Sequence, residues 1–195
     1  MKFLVLLVAL TVTACGPKAF KKGEYDSDIE RANLLNDKWS ESDMQKVVKD
    51  LVASLVAHRS IAAAKSEPLV MVTQLQNKTS EHIDTQSVMD MVRVELMNSG
   101  KVLFVDKEAR GDIKDEYDYQ NSGMVSQNTK KGPGKQEGAD YILNGRLDSI
   151  VQEVGKDKTV YYKVTLNLTS LERNVIVWSG YKQIRKIYKK KSVGI

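Results

Sequence analysis

From Tyr141 to the C-terminus the chain offers three consecutive apolar or alternating stretches, Tyr141 to Val151, Thr159 to Leu171 and Val175 to about Ile187. They are separated only by turn-forming residues, at Gly155-Lys156-Asp157-Lys158 and Glu172-Arg173-Asn174. Period-two alternation broken by short polar turns describes an antiparallel three-stranded meander. Such a meander buries one face and must find a layer to cover it. The rest of the chain is therefore constrained to supply helices with one apolar side.

Ser40-Glu-Ser-Asp43 has the form of a capping box, and Met44, Val47, Val48, Leu51, Val52, Leu55 and Val56 follow at three- and four-residue spacing, the mark of an amphipathic helix. Leu69 to Leu75, after Pro68, reads as a buried strand ending at a turn Gln76-Asn77-Lys78-Thr79. A second helix is expected from about Thr85 to Asn98, with Val88, Met89, Val92 and Leu96 inward and Gly100 as its stop. Val102 to Val105 is then a short strand, completing a right-handed β-α-β unit. Asp106 to about Tyr119 reads as a weak helix, and Asn121 to Gly138, rich in glycine, serine, asparagine and lysine, as a mobile loop. The expected fold class is α/β (α+β): a mixed sheet of about five strands, with a C-terminal antiparallel meander, flanked by helices.

The N-terminus carries a different message. Met1-Lys2 precedes an apolar run, Phe3 to Leu10, too short to span a bilayer and typical of a signal peptide. Val12-Thr13-Ala14-Cys15-Gly16 follows, and Cys15 is the only cysteine among 195 residues, so no intramolecular disulfide can form. This segment resembles the bacterial lipobox, in which the thiol accepts a diacylglycerol and becomes the new N-terminus. Small residues before the cut and a thiol at it are what that chemistry needs. Gly16 rather than aspartate after the cysteine resembles the pattern of outer-membrane sorting. The expectation is residues 1–14 as signal peptide, 15–38 as a polar tether of at most about 80 Å extended, and 39–195 as one domain. The location that follows is the periplasmic face of the outer membrane, with two or three acyl chains as anchor.

Catalytic constellations are thin. His58 and His82 have no partner histidine or cysteine at metal-ligand spacing and read as capping or surface residues. The acidic group Asp112, Asp115, Glu116 and Asp118 lacks the glycine and terminal glutamate of a calcium loop. Gly132-Pro-Gly134-Lys135 lacks the spacing and the hydroxyl residue of a phosphate loop. No cofactor, metal or catalytic residue is expected, and the formal net charge of +5 does not by itself imply nucleic acid. The C-terminal run Lys182, Arg185, Lys186, Lys189, Lys190 and Lys191, interleaved with Tyr181, Ile184, Ile187 and Tyr188, stays open between a lipid- or acid-binding strip and an edge strand protected by lysines.

Several segments together resemble one family. Leu69-Val-Met-Val-Thr-Gln-Leu-Gln-Asn-Lys-Thr79, Asn98-Ser-Gly-Lys101 before Val102-Leu-Phe-Val105, Gly138-Ala-Asp-Tyr-Ile-Leu143 and Val177-Trp-Ser-Gly180 occur in the order and spacing of the LpoB family. These are outer-membrane lipoprotein activators of class A penicillin-binding proteins. The resemblance implies a fold like the N-terminal domain of TolB and a regulator without catalytic residues, which binds a small docking domain of the synthase. It also implies a docking surface near the strand-to-helix turns, for which Asn77, Lys78 and Thr79 are the candidates; the same three residues would equally close a turn. The Asn-Lys-Thr turn and Trp-Ser-Gly end also resemble CsgG-type secretion lipoproteins, so an assembly subunit and a wall- or lipid-binding adaptor stand as alternatives. The chain departs from the family in its tether: relatives carry a long proline-rich one, whereas only Pro17 precedes Pro68 here.

Overall fold

A computed structural model of the chain describes residues 36–190. The expected signal peptide, Cys15 and the tether up to residue 35 lie outside the described residues, as does Lys191. The first helix, α1 (Glu41–Ala57), begins where the capping box predicts: the Asp43 backbone N–H donates to Ser40 Oγ at 3.4 Å and the Ser40 N–H donates to Asp43 Oδ2 at 2.9 Å. Together they satisfy backbone groups that have no partner within the helix. His58 ends α1 and caps a short α2 (Arg59–Ala62), its Nδ1 accepting from the Ser60 N–H. α3 (Thr85–Asn98) starts at Asp84, whose carboxylate accepts from the N–H groups of Gln86 and Ser87. It stops at Gly100, which takes the left-handed φ of +62° that a side chain would resist.

Five strands form one mixed sheet in the order β2-β1-β3-β4-β5. β1 (Leu69–Lys78) pairs in parallel with both β2 (Leu103–Phe104) and β3 (Tyr141–Val154). β3, β4 (Asp157–Ser170) and β5 (Val175–Lys189) make the predicted meander. Its first connection narrows to Gly155-Lys156, with Gly155 at φ +59°. α1 packs on α3 and β5, and α3 on β1, so both long helices lie on one face of the sheet. The core between the layers joins Val48, Leu51 and Leu55 of α1 and Val92 and Leu96 of α3 to Leu143, Leu147, Val164, Leu166 and Leu168 of the sheet, all at most 2% exposed.

Besides the β3–β4 turn, where β3 runs on to Val154 and β4 starts at Asp157, three further boundaries differ from expectation. β1 runs on through Gln76, Asn77 and Lys78, which pair with Arg146, Leu147 and Asp148, so the turn opens only at Thr79. Pairing partners downstream, invisible to local propensity, extend it. β2 shrinks to two residues, although the Val105 N–H still donates to the Val70 carbonyl. α4 (Arg110–Asn121) begins four residues later than predicted, because the Asp106 carboxylate accepts from the N–H groups of Glu108 and Ala109 and holds a turn there first. Residues between α4 and β3 form neither helix nor strand.

Two glycines in the sheet are there for space. A Cβ at Gly145 would run into the Thr165 carbonyl oxygen and the Leu166 side chain, with Leu75 Cδ1 also crowding at 3.1 Å. The irregularity of β1 between Val72 and Leu75 lies opposite. A Cβ at Gly180 would collide with the Trp178 indole, which lies back along β5 over that position. The Trp-Ser-Gly segment is thus a packing unit in which the ring replaces the missing side chain.

The far end of the sheet is fastened by a polar strap. Residues 36–39 cross the ends of β4 and β5 before α1 begins. The Lys186 ammonium, on a side chain 7% exposed, pairs with Asp43 and donates to the Lys38 carbonyl at 2.6 Å. Tyr188 donates to the Asn36 carbonyl, and Lys158 Nζ bonds Asp37 Oδ2 at 2.7 Å, holding that carboxyl below the usual range. Trp39 meets Tyr162 edge to face at 5.4 Å. Lys182 pairs with Asp50 on the next turns of α1. β5 is an edge strand, but Lys182 and Lys186 point at α1 rather than forming a solvent-facing basic strip.

Removing one partner of a buried ion pair leaves the other charge uncompensated, at a cost of about 3–5 kcal/mol. Lys186→Met should therefore lower unfolding stability by that amount, measured by urea denaturation. The double change with Asp43→Leu should recover most of it, short of the loss of the helix cap, about 1 kcal/mol. Gly145→Ala should cost about 1–3 kcal/mol through overpacking, measured the same way.

Candidate functional site

Alternation along the strands decides which residues the helix layer leaves uncovered. On β3, β4 and β5 the residues facing away from α1 and α3 come in cross-strand rows: Asn144, Asn167 and Ser179; Arg146, Thr165 and Tyr181; Asp148, Lys163 and Gln183. α4 leans over the β1 end of this face, with Arg110 Nη2 4.0 Å from Met71 Sδ, and covers none of these rows. Tyr181 is 62% exposed, and Lys163 Nζ sits 5.1 Å from its ring centroid. Ser179 Oγ and Asn167 Oδ1 are 2.7 Å apart, and Arg146 Nε pairs with Asp148 Oδ2 at 2.9 Å. A groove of about 480 Å³ runs between Thr73, Gln76, Asn144, Arg146 and Asn167. Amides, hydroxyls, a guanidinium and a flat ring on rigid strands can recognise a complementary protein surface. No histidine or cysteine stands in these rows, and among the described residues no group of acidic, histidine or cysteine side chains could hold a metal ion.

The three residues expected to dock a partner separate into two roles. Asn77 Oδ1 accepts from the Thr79 N–H at 2.9 Å, and Asn77 Nδ2 donates to the Glu81 carbonyl at 2.8 Å. Thr79 Oγ1 accepts from the Glu81 N–H at 3.1 Å. These bonds close the corner between β1 and α3 and present Glu81 to the strap, where its carboxylate accepts from the Tyr162 hydroxyl and from the Trp39 N–H at 3.0 Å. Burial first, and then the Glu81 carboxylate, push the Tyr162 phenol far above its ordinary value, so it remains a donor. Lys78 is exposed and, opposite Asp148, belongs to the uncovered face.

The uncovered face itself escaped the sequence reading. Its signal was present in the alternate positions of β3 to β5, which are polar through the middle of each strand. The two histidines are placed as predicted, His58 as a cap and His82 exposed before α3. Asp112, Asp115, Glu116 and Asp118 lie on α4, which buries no residue, and Lys114 pairs with Asp118 there.

Among curated proteins nothing matches the chain. Its similarity to solved structures includes the LpoB C-terminal domain from Salmonella enterica, at 16% identity over 74% of this chain and 99% of that one, with a TM-score of 0.48. The LpoB C-terminal domain from Escherichia coli gives 16% identity over 73% and 98%, with a TM-score of 0.47. The lipoprotein GNA1162 from Neisseria meningitidis gives 14% over 64% and 88%, with a TM-score of 0.40. The family model described as peptidoglycan-synthase activator LpoB matches residues 41–184, from the first residue of α1 into β5. With well over half of its length matched, this chain belongs to the LpoB family of peptidoglycan-synthase activators.

Proposed function

We propose that the chain is a lipid-anchored protein of the outer membrane that binds and activates a class A penicillin-binding protein, and has no catalytic step of its own. The observation that carries this reading is the family match over residues 41–184, from α1 into β5. The uncovered sheet face supports it, being polar, ordered on strands and without a nucleophile-base pair. The docking surface is proposed to centre on Arg146, Lys163 and Tyr181 and to include Lys78 at its margin. Asn77 and Thr79 contribute by fixing the corner from which Lys78 projects. Exposed aromatic and arginine side chains are the groups that most often dominate such contacts.

The test is glycan polymerisation by class A synthases of the native bacterium with and without the purified chain. Stimulation is expected, together with at least about tenfold weaker binding for Tyr181→Ala or Arg146→Glu, the loss typical of a central contact residue. Glu172→Lys, in the β4–β5 turn, should leave binding unchanged. Absence of stimulation by the folded chain would sink the activator reading; full stimulation by both face variants would move the docking surface elsewhere. The anchor is tested separately: Cys15→Ser should abolish incorporation of labelled palmitate and release the chain from the membrane fraction.

A further inference from the structure

The strap that begins at Asn36 lies at one end of the sheet, the end that holds the β3–β4 turn at Gly155-Lys156 and the last residues of β5. Lys158, two residues past that turn, holds Asp37, and Tyr188 holds the carbonyl of Asn36. The chain therefore enters the domain beside the β3–β4 turn. About twenty residues separate Asn36 from Cys15, and covalent geometry alone keeps the turn within about 80 Å of the anchor.

At this same end the uncovered face changes character. Past the polar rows come Ile150 opposite Tyr161 and Arg185, then Ile187 beside Thr159, then Val154 and Lys189 flanking Asp157. Val154 is 78% exposed, Ile187 67% and Ile150 55%, on a face whose middle is polar. Neither Arg185 nor Lys189 has an ion-pair partner among the described residues, whereas Lys182 and Lys186 are both used inside the fold. Exposed aliphatic side chains with two basic ones beside them, against one carboxylate at Asp157, suit an interface of acyl chains and anionic headgroups.

We propose that the β3–β4 hairpin end, through Val154, Ile150 and Ile187 with Arg185 and Lys189, rests on the anionic phospholipid surface to which the chain is anchored. This rests on the reading of Cys15 as acylated. A patch this small binds weakly alone, but a covalent anchor nearby gives it a high effective concentration. Resting there would orient the polar rows, further along the same strands, away from the lipid.

The test uses the full acylated chain, in which Cys15 is blocked, so that Val154→Cys accepts a single environment-sensitive fluorophore. Arg173→Cys, in the turn at the opposite end of the sheet, is the comparison site. On vesicles of phosphatidylethanolamine with phosphatidylglycerol, the label at 154 should shift to the blue and be shielded from an aqueous quencher, and the label at 173 should not. Arg185→Glu and Lys189→Glu should each reduce the shielded fraction about fivefold or more, as expected for a basic side chain at an anionic surface. Equal exposure of both labels on vesicles that carry the chain would overturn the proposal while leaving the anchor intact. Equal shielding on purely zwitterionic vesicles would overturn the role of the two cations. Shielding without vesicles that grows with protein concentration would assign the patch to a second copy. Failure of the acylated chain to float with vesicles would overturn the anchor reading, and the proposal with it.

Discussion

The pairing of Lys186 with Asp43 ties the edge strand β5 to the strap and the start of α1, two adjoining segments about 140 residues away in sequence. Asp43 is the third residue of α1 and closes its capping box, Lys186 belongs to the edge strand, and the ammonium also holds the carbonyl of Lys38 in the incoming strap. An ammonium taken out of water must have its donors satisfied, and here a carboxylate and backbone carbonyls do so at once. The pair consequently fixes where α1 starts relative to β5. That registration places Val48, Leu51 and Leu55 over the meander. The helix layer is seated by polar contacts along its edge, Lys186 with Asp43 and Lys182 with Asp50, and stabilised by the apolar area behind them.

This contact also marks the limit of what local patterning reveals. The residues of α1, of α3 and of the three meander strands announce themselves, because burial on one face imposes a period that any window of a dozen residues displays. The lysines of β5 do not. From the sequence, Lys182 and Lys186 belong to the same basic run as Arg185 and Lys189, yet alternation sends the first two inward to Asp50 and Asp43 and the others outward. Only knowing which side α1 occupies separates them. The extension of β1 to Lys78 is hidden for a similar reason: its last three residues are polar and become strand because β3 runs alongside.

Function was legible in part and by a different route. Segments such as Asn77-Lys78-Thr79 and Val177-Trp-Ser-Gly180 point to the family, but the structure gives both architectural work, one closing the β1–α3 corner and the other packing an indole over a glycine. The residues proposed for recognition, Arg146, Lys163 and Tyr181, carry no motif. They stand out only once the sheet is assembled and one face is found without a covering layer. Here the recognisable sequence marks the scaffold, and the proposed docking surface is what the scaffold leaves over.

The strap at residues 36–39 has a mechanical meaning. Any pull transmitted along the chain from its N-terminal side enters the domain at Asn36, where Tyr188, Lys186 and Lys158 bind the strap to the two neighbouring strands they belong to, of fourteen or more residues each. The load passes into a fourteen-pair antiparallel ladder before it reaches α1. The helix layer, held mainly by apolar contact that resists peeling poorly, is shielded from that tension by a short row of polar rivets.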